Sequence, residues 1–142
     1  VAPYSSPTAG DVAYLKVPKS TKGYHLLGGF SKKWVSVGEL DENGCIGLRK
    51  FQPIENDAIR EDGTIVVKAN ADLSLSAGSR HGNSSCSVLS AVKLEKDQIY
   101  KFTYHPGVKS CAISLVKLNP NGEEGLPIEL ARLKDKITKF CK

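Results

Sequence analysis

Apolar and polar residues alternate along most of the chain with a period of two. Because successive side chains of a β-strand point to opposite faces of a sheet, this alternation predicts strands that bury one face. Turn residues separate the alternating segments, and no helical spacing is found before residue 126. The pattern therefore predicts a mainly β fold, either an antiparallel β-sandwich or a small barrel. The predicted strands are residues 11–17, 24–30, 34–37, 45–51, 64–68, 73–75, 87–94, 99–104 and 111–118.

The last three predicted strands follow one another at the spacing of β-hairpins. A meander built from them would place Phe102 between Val92 and Ile113, and Tyr100 opposite Leu115. One face of this meander would be continuously apolar and aromatic, which stabilises neighbouring strands.

Near the C-terminus, apolar residues recur at helical spacing: Leu130, Leu133, Ile137 and Phe140. Lysines late in this segment would suit the end of a helix, so a short helix is predicted over about residues 130–141. Ile128 and Leu130 also suit a short strand that returns along residue 118, and both alternatives stay open.

The domain organisation is predicted to be simple. Residues 11–142 show no internal linker and no repeat, which favours one domain. Residues 1–10 are rich in Pro, Ser, Ala and Thr, and this composition predicts a flexible tether. We interpret the tether as a segment that follows a removed signal peptide or lipid anchor; the alternative is a chain trimmed at a convenient point.

The cysteines bear on the compartment. Cys45, Cys86, Cys111 and Cys141 are widely spaced and match no zinc-ligand or Cys-x-x-Cys pattern. They indicate either two disulfides in an oxidising compartment or four buried thiols in a cytosolic protein. We predict the disulfides, and hence a periplasmic or secreted protein. Three pairings of four cysteines are possible. We favour Cys86–Cys111 and Cys45–Cys141, because Cys86 and Cys111 both begin apolar runs and would lie at one end of a sheet.

The net charge of +5 is compatible with an anionic partner but does not indicate which kind. A nucleic-acid surface needs aromatic residues interleaved with basic ones, and Lys32, Lys33 and Trp34 form the only such cluster. Because this cluster is short, we expect no nucleic-acid partner. The three residues are instead a candidate surface patch.

The polar stretch 78–85 has no apolar side chain and contains two glycines, so we interpret it as a loop. Loops commonly carry recognition residues, which makes Arg80, His81 and Asn83 a candidate binding loop.

Motifs for catalysis, phosphate binding and metal binding are absent from the sequence. We therefore expect no catalytic residues, no metal and no cofactor. A hydrolytic enzyme with a site near residues 78–85 remains a third hypothesis, because His81 has serines close to it in the sequence.

Residues 88–104, which read VLSAVKLEKDQIYKFTY, and residues 111–118 carry a resemblance to a known class of domain. Together with the tether and the strand spacing, they resemble small periplasmic lipoprotein domains of Gram-negative bacteria. The resemblance implies a location in the cell envelope and a non-enzymatic role, with membrane contact only through a removed lipid anchor.

Two functions follow from this reading. The first is a disulfide-stabilised binding or assembly module with a protein partner in the cell envelope. The alternative is an inhibitor or immunity protein that blocks an enzyme in the same compartment. The sequence leaves the oligomeric state open.

Overall fold

A computed structural model of the protein describes residues 3–25, 29–39, 46–47, 52–107, 110–132 and 140–141. The only helix among these residues is a single 3-10 turn at Asn56–Ala58, so the mainly β prediction is confirmed. Within the same residues, no helix has the length and apolar character needed to cross a membrane. The strands are β1 (Val12–Lys16), β2 (Thr21–His25), β3 (Gly29–Glu39), β4 (Ile46–Gly47), β5 (Gln52–Pro53), β6 (Thr64–Lys68), β7 (Asp72–His81), β8 (Ser84–Lys93), β9 (Ile99–His105), β10 (Ala112–Leu118), β11 (Glu124–Pro127), β12 (Ala131–Arg132) and β13 (Phe140–Cys141).

The strands form two large sheets and one separate pair. Sheet A has five strands in the order β11-β10-β9-β1-β6. Sheet B has the order β12-β8-β7-β3-β2, with β5 as a sixth strand paired to β3. In these two sheets β1 and β9 run parallel, and the other described pairs are antiparallel. Two such layers are the architecture of a β-sandwich, as predicted; β4 and β13 form a separate parallel pair.

The core lies between sheets A and B. Alternation along β1 buries Ala13 and Leu15, and alternation along β7 buries Leu73, Leu75 and Ala77. These side chains belong to one apolar cluster with residues of the other strands, which include Val35, Val37, Ile65, Val67, Tyr100, Phe102 and Leu115. Burial of this cluster is the main stabilising contribution to the sandwich.

The predicted meander is wrong in its pairing. Strand β8 belongs to sheet B and β9 to sheet A, so Val92 and Phe102 are not neighbours in a sheet. The chain crosses between the two layers over residues 94–98. The hairpin of β9 and β10 does form, but Phe102 pairs with Leu115 and Tyr100 with Lys117. This register differs from the prediction by two residues, a shift that leaves every side chain on its predicted face.

The predicted loop over residues 78–85 is also wrong. Residues 78–81 continue β7 and residues 84–85 begin β8, so only Gly82 and Asn83 form the connection. Gly82 has a φ of 60°, while Asn83 does not have a positive φ. This combination is that of a type II′ hairpin turn, in which glycine occupies the first central position. The polar composition reflects exposure on both faces at the end of the hairpin.

The predicted C-terminal helix is wrong wherever the structure describes its residues. Ala131 and Arg132 form β12 beside β8, and Phe140 and Cys141 form β13 beside β4. Strand edges available in the folded protein override a local helical pattern. Residues 133–139 lie outside the described residues. The alternative prediction of a returning strand agrees better with the structure. The chain does return along β10, because β11 pairs with β10 and the Ile128 backbone N–H donates a hydrogen bond to the Leu115 carbonyl.

The segment predicted as a tether is attached to the sandwich at Tyr4. The Tyr4 backbone N–H donates to the Pro53 carbonyl at 2.9 Å, and its hydroxyl donates to the Val66 carbonyl. The half-buried ring packs against the core. Burial raises the pKa of Tyr4, and the nearby Glu39 carboxylate raises it further.

Candidate binding site

The pairing of β3 with β7 brings the two candidate segments together. Lys32 pairs with Arg80, and Trp34 pairs with Gly78. The predicted patch and the predicted binding loop, which are remote in the sequence, therefore lie on adjacent strands of sheet B. We refer to Lys32, Trp34, Arg80 and the turn residue Asn83 as the hairpin-end patch.

The side chains of Lys32 and Arg80 lie on the face of sheet B that points away from the core. This follows from the alternation of strands, because Val35 and Ala77 at odd-numbered positions of the same strands are in the core. Both Lys32 and Arg80 are exposed, and Trp34 is half-buried. The outer face at this end of the sheet thus carries two cations and one aromatic ring.

A line of cationic residues crosses the strands at this point. Lys32 on β3 pairs with Arg80 on β7. We call these two residues the cationic row. Ser85 on β8 pairs with Arg80 and continues the row with a hydroxyl group. Since neighbouring strands are about 4.8 Å apart, the two cationic positions lie side by side.

The Trp34 ring contacts the side chain of Lys32. The Lys32 ammonium lies 5.8 Å from the centroid of the Trp34 ring, within the range of a cation–π interaction. The ring in turn packs on Gly78, where a Cβ atom would lie only 2.4 Å from Cζ2 of Trp34. Glycine at position 78 is therefore required for this close approach of ring and backbone.

Arg80 is held by the turn that follows it. Its Nε donates a hydrogen bond to the Gly82 carbonyl at 3.2 Å. This bond uses one of the five donors of the guanidinium group and leaves the terminal Nη groups available. The predicted binding residue Arg80 is therefore restrained before any ligand binds.

The third member of the predicted patch, Lys33, lies on the opposite side of β3 from Lys32. It pairs with Ser79 on the side that faces sheet A, and it lines a cavity of about 80 Å³ with Tyr104, Pro18 and Trp34. The sequence placed Lys32, Lys33 and Trp34 in one patch, but alternation along the strand divides them between two faces.

Two cross-links between the sheets lie at the same end of the sandwich. Cys86 on β8 and Cys111 beside β10 form a disulfide with a Cα–Cα distance of 6.1 Å, so this predicted pair is confirmed. The hydroxyl groups of Ser79 and Tyr104 are 2.6 Å apart. Both contacts restrain the strands that carry the hairpin-end patch.

The predicted Cys45–Cys141 pair lies outside the described residues. Cys45 itself is not described, and of Cys141 only the backbone is, paired with Gly47. This second disulfide remains a prediction.

The histidines do not converge in the described part of the chain. His81 pairs with Ser84 across the hairpin turn, where both residues are exposed. His105 is in sheet A, where its Nε2 lies 3.0 Å from Oγ of Ser114. Among the described residues no cluster of three or more His, Cys, Asp or Glu side chains could hold a metal ion.

Sequence reasoning missed Gly78, Ser85 and Tyr104 as parts of this site. A signal for the first two was present, because Gly82-Asn83 is a two-residue hairpin turn sequence. Reading it as a turn would have paired residue 80 with residue 85 and placed residues 78–81 in a strand. No local signal links Tyr104 to Ser79, since their contact joins different sheets.

Comparison of the chain with models of protein families, with curated proteins and with solved structures finds no match in any of the three. The resemblance to periplasmic lipoprotein domains therefore stays a prediction, and the site has to be interpreted from its own geometry.

Proposed function

We propose that the protein is a non-catalytic binding or assembly module that works in a periplasmic or secreted compartment. The partner we expect is a protein of the cell envelope, and the contact surface is the hairpin-end patch. The Cys86–Cys111 disulfide supports an oxidising compartment, because disulfides persist there and are rare in the cytosol.

The observation that carries the proposal is the meeting of Lys32 and Trp34 with Arg80 on adjacent strands. Aromatic residues and arginine are the types most enriched at binding hot spots. Here Trp34 is held against Gly78, and Arg80 is held by the Gly82 carbonyl. A surface arranged in advance loses less conformational entropy when a partner binds.

The inhibitor alternative is less well supported by the same geometry. An inhibitor that inserts into an active site needs a rigid protrusion. Strand β3 accompanies β7 as far as His81, so the β7–β8 hairpin itself extends only Gly82 and Asn83 beyond that pairing.

The enzyme hypothesis also gains little support from the site. His81 and Ser84 are exposed, whereas a catalytic serine and histidine work beside a buried carboxylate that orients the imidazole.

A pull-down from the envelope fraction of the source organism tests the proposal. The bait proteins would be the wild type, the Lys32→Ala/Arg80→Ala variant and a control variant with the same change in charge. Lys93→Ala/Lys117→Ala is a suitable control, because both lysines are on strands and their ion-pair partners are exposed carboxylates.

We expect wild type and control to retain the same specific protein, and the Lys32→Ala/Arg80→Ala variant to lose it. Equal recovery with all three baits would rule out the hairpin-end patch as the contact surface. Circular dichroism of each bait would show whether the sandwich is intact.

A further inference from the structure

We propose that the cationic row binds the carboxylates of an acidic protein segment. This inference rests on the proposed function and adds the chemistry of the partner.

The two ends of β7 carry different kinds of cross-strand charge pair, one of opposite charges and one of like charges. At one end Asp72 pairs directly with Lys93, and their charged atoms are 3.8 Å apart. At the other end Lys32 pairs directly with Arg80. Like charges directly opposite one another destabilise a sheet, so an anionic partner bound at this end would relieve a repulsion in the free protein.

Several other lysines of the described strands have carboxylate partners, although Lys16 and Lys33 form no ion pair with a described residue. Ion pairs join Lys68 to Glu39, Lys101 to Glu124 and Lys117 to Glu95, at 3.0–3.3 Å. By contrast, neither Lys32 nor Arg80 forms an ion pair with a residue that the structure describes. The hairpin end therefore presents positive charge that these residues leave uncompensated.

The geometry of Arg80 suits a carboxylate. With Nε bound to the Gly82 carbonyl, the two terminal nitrogens can donate parallel hydrogen bonds to two oxygens. Lys32, on the neighbouring strand, adds a compact positive charge next to the Trp34 ring. The hydroxyl of Ser85 offers a further donor on the other side of Arg80.

The shape of the charged region favours a short acidic segment over an extended polyanion or a membrane surface. The paired positions next to the row are Trp34 and Gly78 toward the centre of the sheet, and on β8 the positions are Ser85 and Ser87. Among the described side chains of this face, the cationic row thus presents two positive charges on neighbouring strands about 4.8 Å apart. Two carboxylates would neutralise them.

The test is isothermal titration calorimetry, in which defined anions are titrated into the full chain. The probes are a hexaglutamate peptide, a sulfated oligosaccharide of similar charge, and vesicles of phosphatidylserine and phosphatidylcholine. The variants are Lys32→Glu, the matched reversal Lys93→Glu on the same face of the sheet, and Arg80→Lys.

We expect hexaglutamate to bind the wild type and Lys93→Glu with similar affinity. Lys32→Glu should weaken binding about tenfold, because it replaces an attraction by a repulsion. Arg80→Lys should weaken it several-fold although the charge is retained, since lysine lacks the paired donors. Added salt should reduce the wild-type affinity.

Three results would overturn the inference: no binding of hexaglutamate to the wild type, equal loss in Lys32→Glu and Lys93→Glu, or tighter binding to the oligosaccharide or the vesicles. If any of these results were found while the pull-down still depended on Lys32 and Arg80, the proposed function would be retained and only the acidic segment as ligand would be rejected. A pull-down without that dependence would reject the proposed function itself.

Discussion

Ser79 and Tyr104 join the two sheets through hydroxyl groups 2.6 Å apart, directly beside the Cys86–Cys111 disulfide. Ser79 pairs with Cys86 in the β7–β8 ladder, and Tyr104 is on β9, next to the strand that Cys111 precedes. One end of the sandwich is therefore cross-linked by a covalent bond and a hydrogen bond at neighbouring positions. This is the end that carries the hairpin-end patch, so its strands are fixed relative to sheet A.

Removal of the disulfide should destabilise the protein strongly. The two cysteines are 25 residues apart in the sequence, and closing a loop of that size stabilises a folded chain by roughly 3–4 kcal/mol. We expect the Cys86→Ser/Cys111→Ser variant to lose about that much free energy of unfolding, measured by urea denaturation.

Tyr104→Phe provides the comparison, because it removes only the hydrogen bond to Ser79 and should cost about 1 kcal/mol. An unfolding midpoint of the double serine variant equal to that of the wild type would show that the disulfide contributes nothing to stability.

Gly78→Ala should disturb the hairpin-end patch through Trp34. The added methyl group would meet the indole ring at 2.4 Å and the Cys86 carbonyl at 2.8 Å, so ring or backbone must move. Overpacking of this kind typically costs about 1–3 kcal/mol. Trp34 is the only tryptophan of the chain, so its fluorescence spectrum reports the displacement directly.

Gly23→Ala is the matched control for this substitution. Gly23 is also in a strand of sheet B, but an added Cβ would have nothing within 4 Å. We expect its fluorescence and unfolding free energy to stay close to the wild type. Equal fluorescence spectra for Gly78→Ala and wild type would contradict the inference that the Trp34 ring packs on Gly78.

The faces of the strands could be predicted from the sequence, because alternation depends only on local geometry. The alternation in residues 99–104 correctly placed Tyr100 and Phe102 on the buried face. It could not fix which residue of β10 each one faces, since a shift of two residues preserves the faces. Nor could it place β8 and β9 in different sheets, because that choice depends on packing between distant segments.

The candidate site could be predicted only in pieces. Lys32, Trp34 and Arg80 were singled out by residue type, but their meeting depends on the pairing of β3 with β7, which joins segments more than forty residues apart. Such long-range pairing leaves no periodic signal in one sequence. The disulfide between Cys86 and Cys111 was predicted by position in the strands, and the pair is confirmed, but it joins two sheets where the predicted meander had both segments in one.

Tyr4→Ala should destabilise the protein although residue 4 is in the segment predicted as a tether. The ring lines a cavity of about 260 Å³ with Val37, Val67 and Leu73, and its loss would enlarge that space. Removal of a fully buried aromatic side chain costs about 3–5 kcal/mol, and for this half-buried ring we expect about 2 kcal/mol. Ser6→Ala, in the exposed part of the same segment, should have no measurable effect on the unfolding midpoint.

The ionisation of Tyr4 should add a dependence on alkaline pH. Its pKa is raised in the folded protein by burial and by Glu39, so folding favours the neutral phenol. This contribution is complete below the ordinary tyrosine pKa of about 10 and is lost as the pH rises through the folded value. In spectrophotometric titration, Tyr4→Phe should remove an ionisation step above the ordinary tyrosine range.

Asp62 should contribute to stability at neutral pH but not in acid. Its carboxylate accepts hydrogen bonds from the hydroxyl of Thr64 at 2.6 Å and from the Thr64 backbone N–H at 3.0 Å. These bonds, with Arg60 and Lys16 as weaker causes, lower the pKa of Asp62 in the folded protein. Because the folded pKa is below the unfolded one, the stabilisation is present above the ordinary pKa and is lost as the pH falls through the folded value.

Asp62→Asn should therefore be less stable than the wild type at pH 7, and the difference should shrink as the pH falls below about 4. Urea unfolding at several pH values measures this convergence. Asp57→Asn, at an exposed position in the preceding 3-10 helix, should not reproduce it. In addition, Thr64→Val should raise the pKa of Asp62 in an NMR titration, because it removes the hydroxyl donor, the larger of the two hydrogen-bond causes. A gap between wild type and Asp62→Asn that stayed constant over the whole acid range would mean that the Asp62 charge has no part in holding this turn.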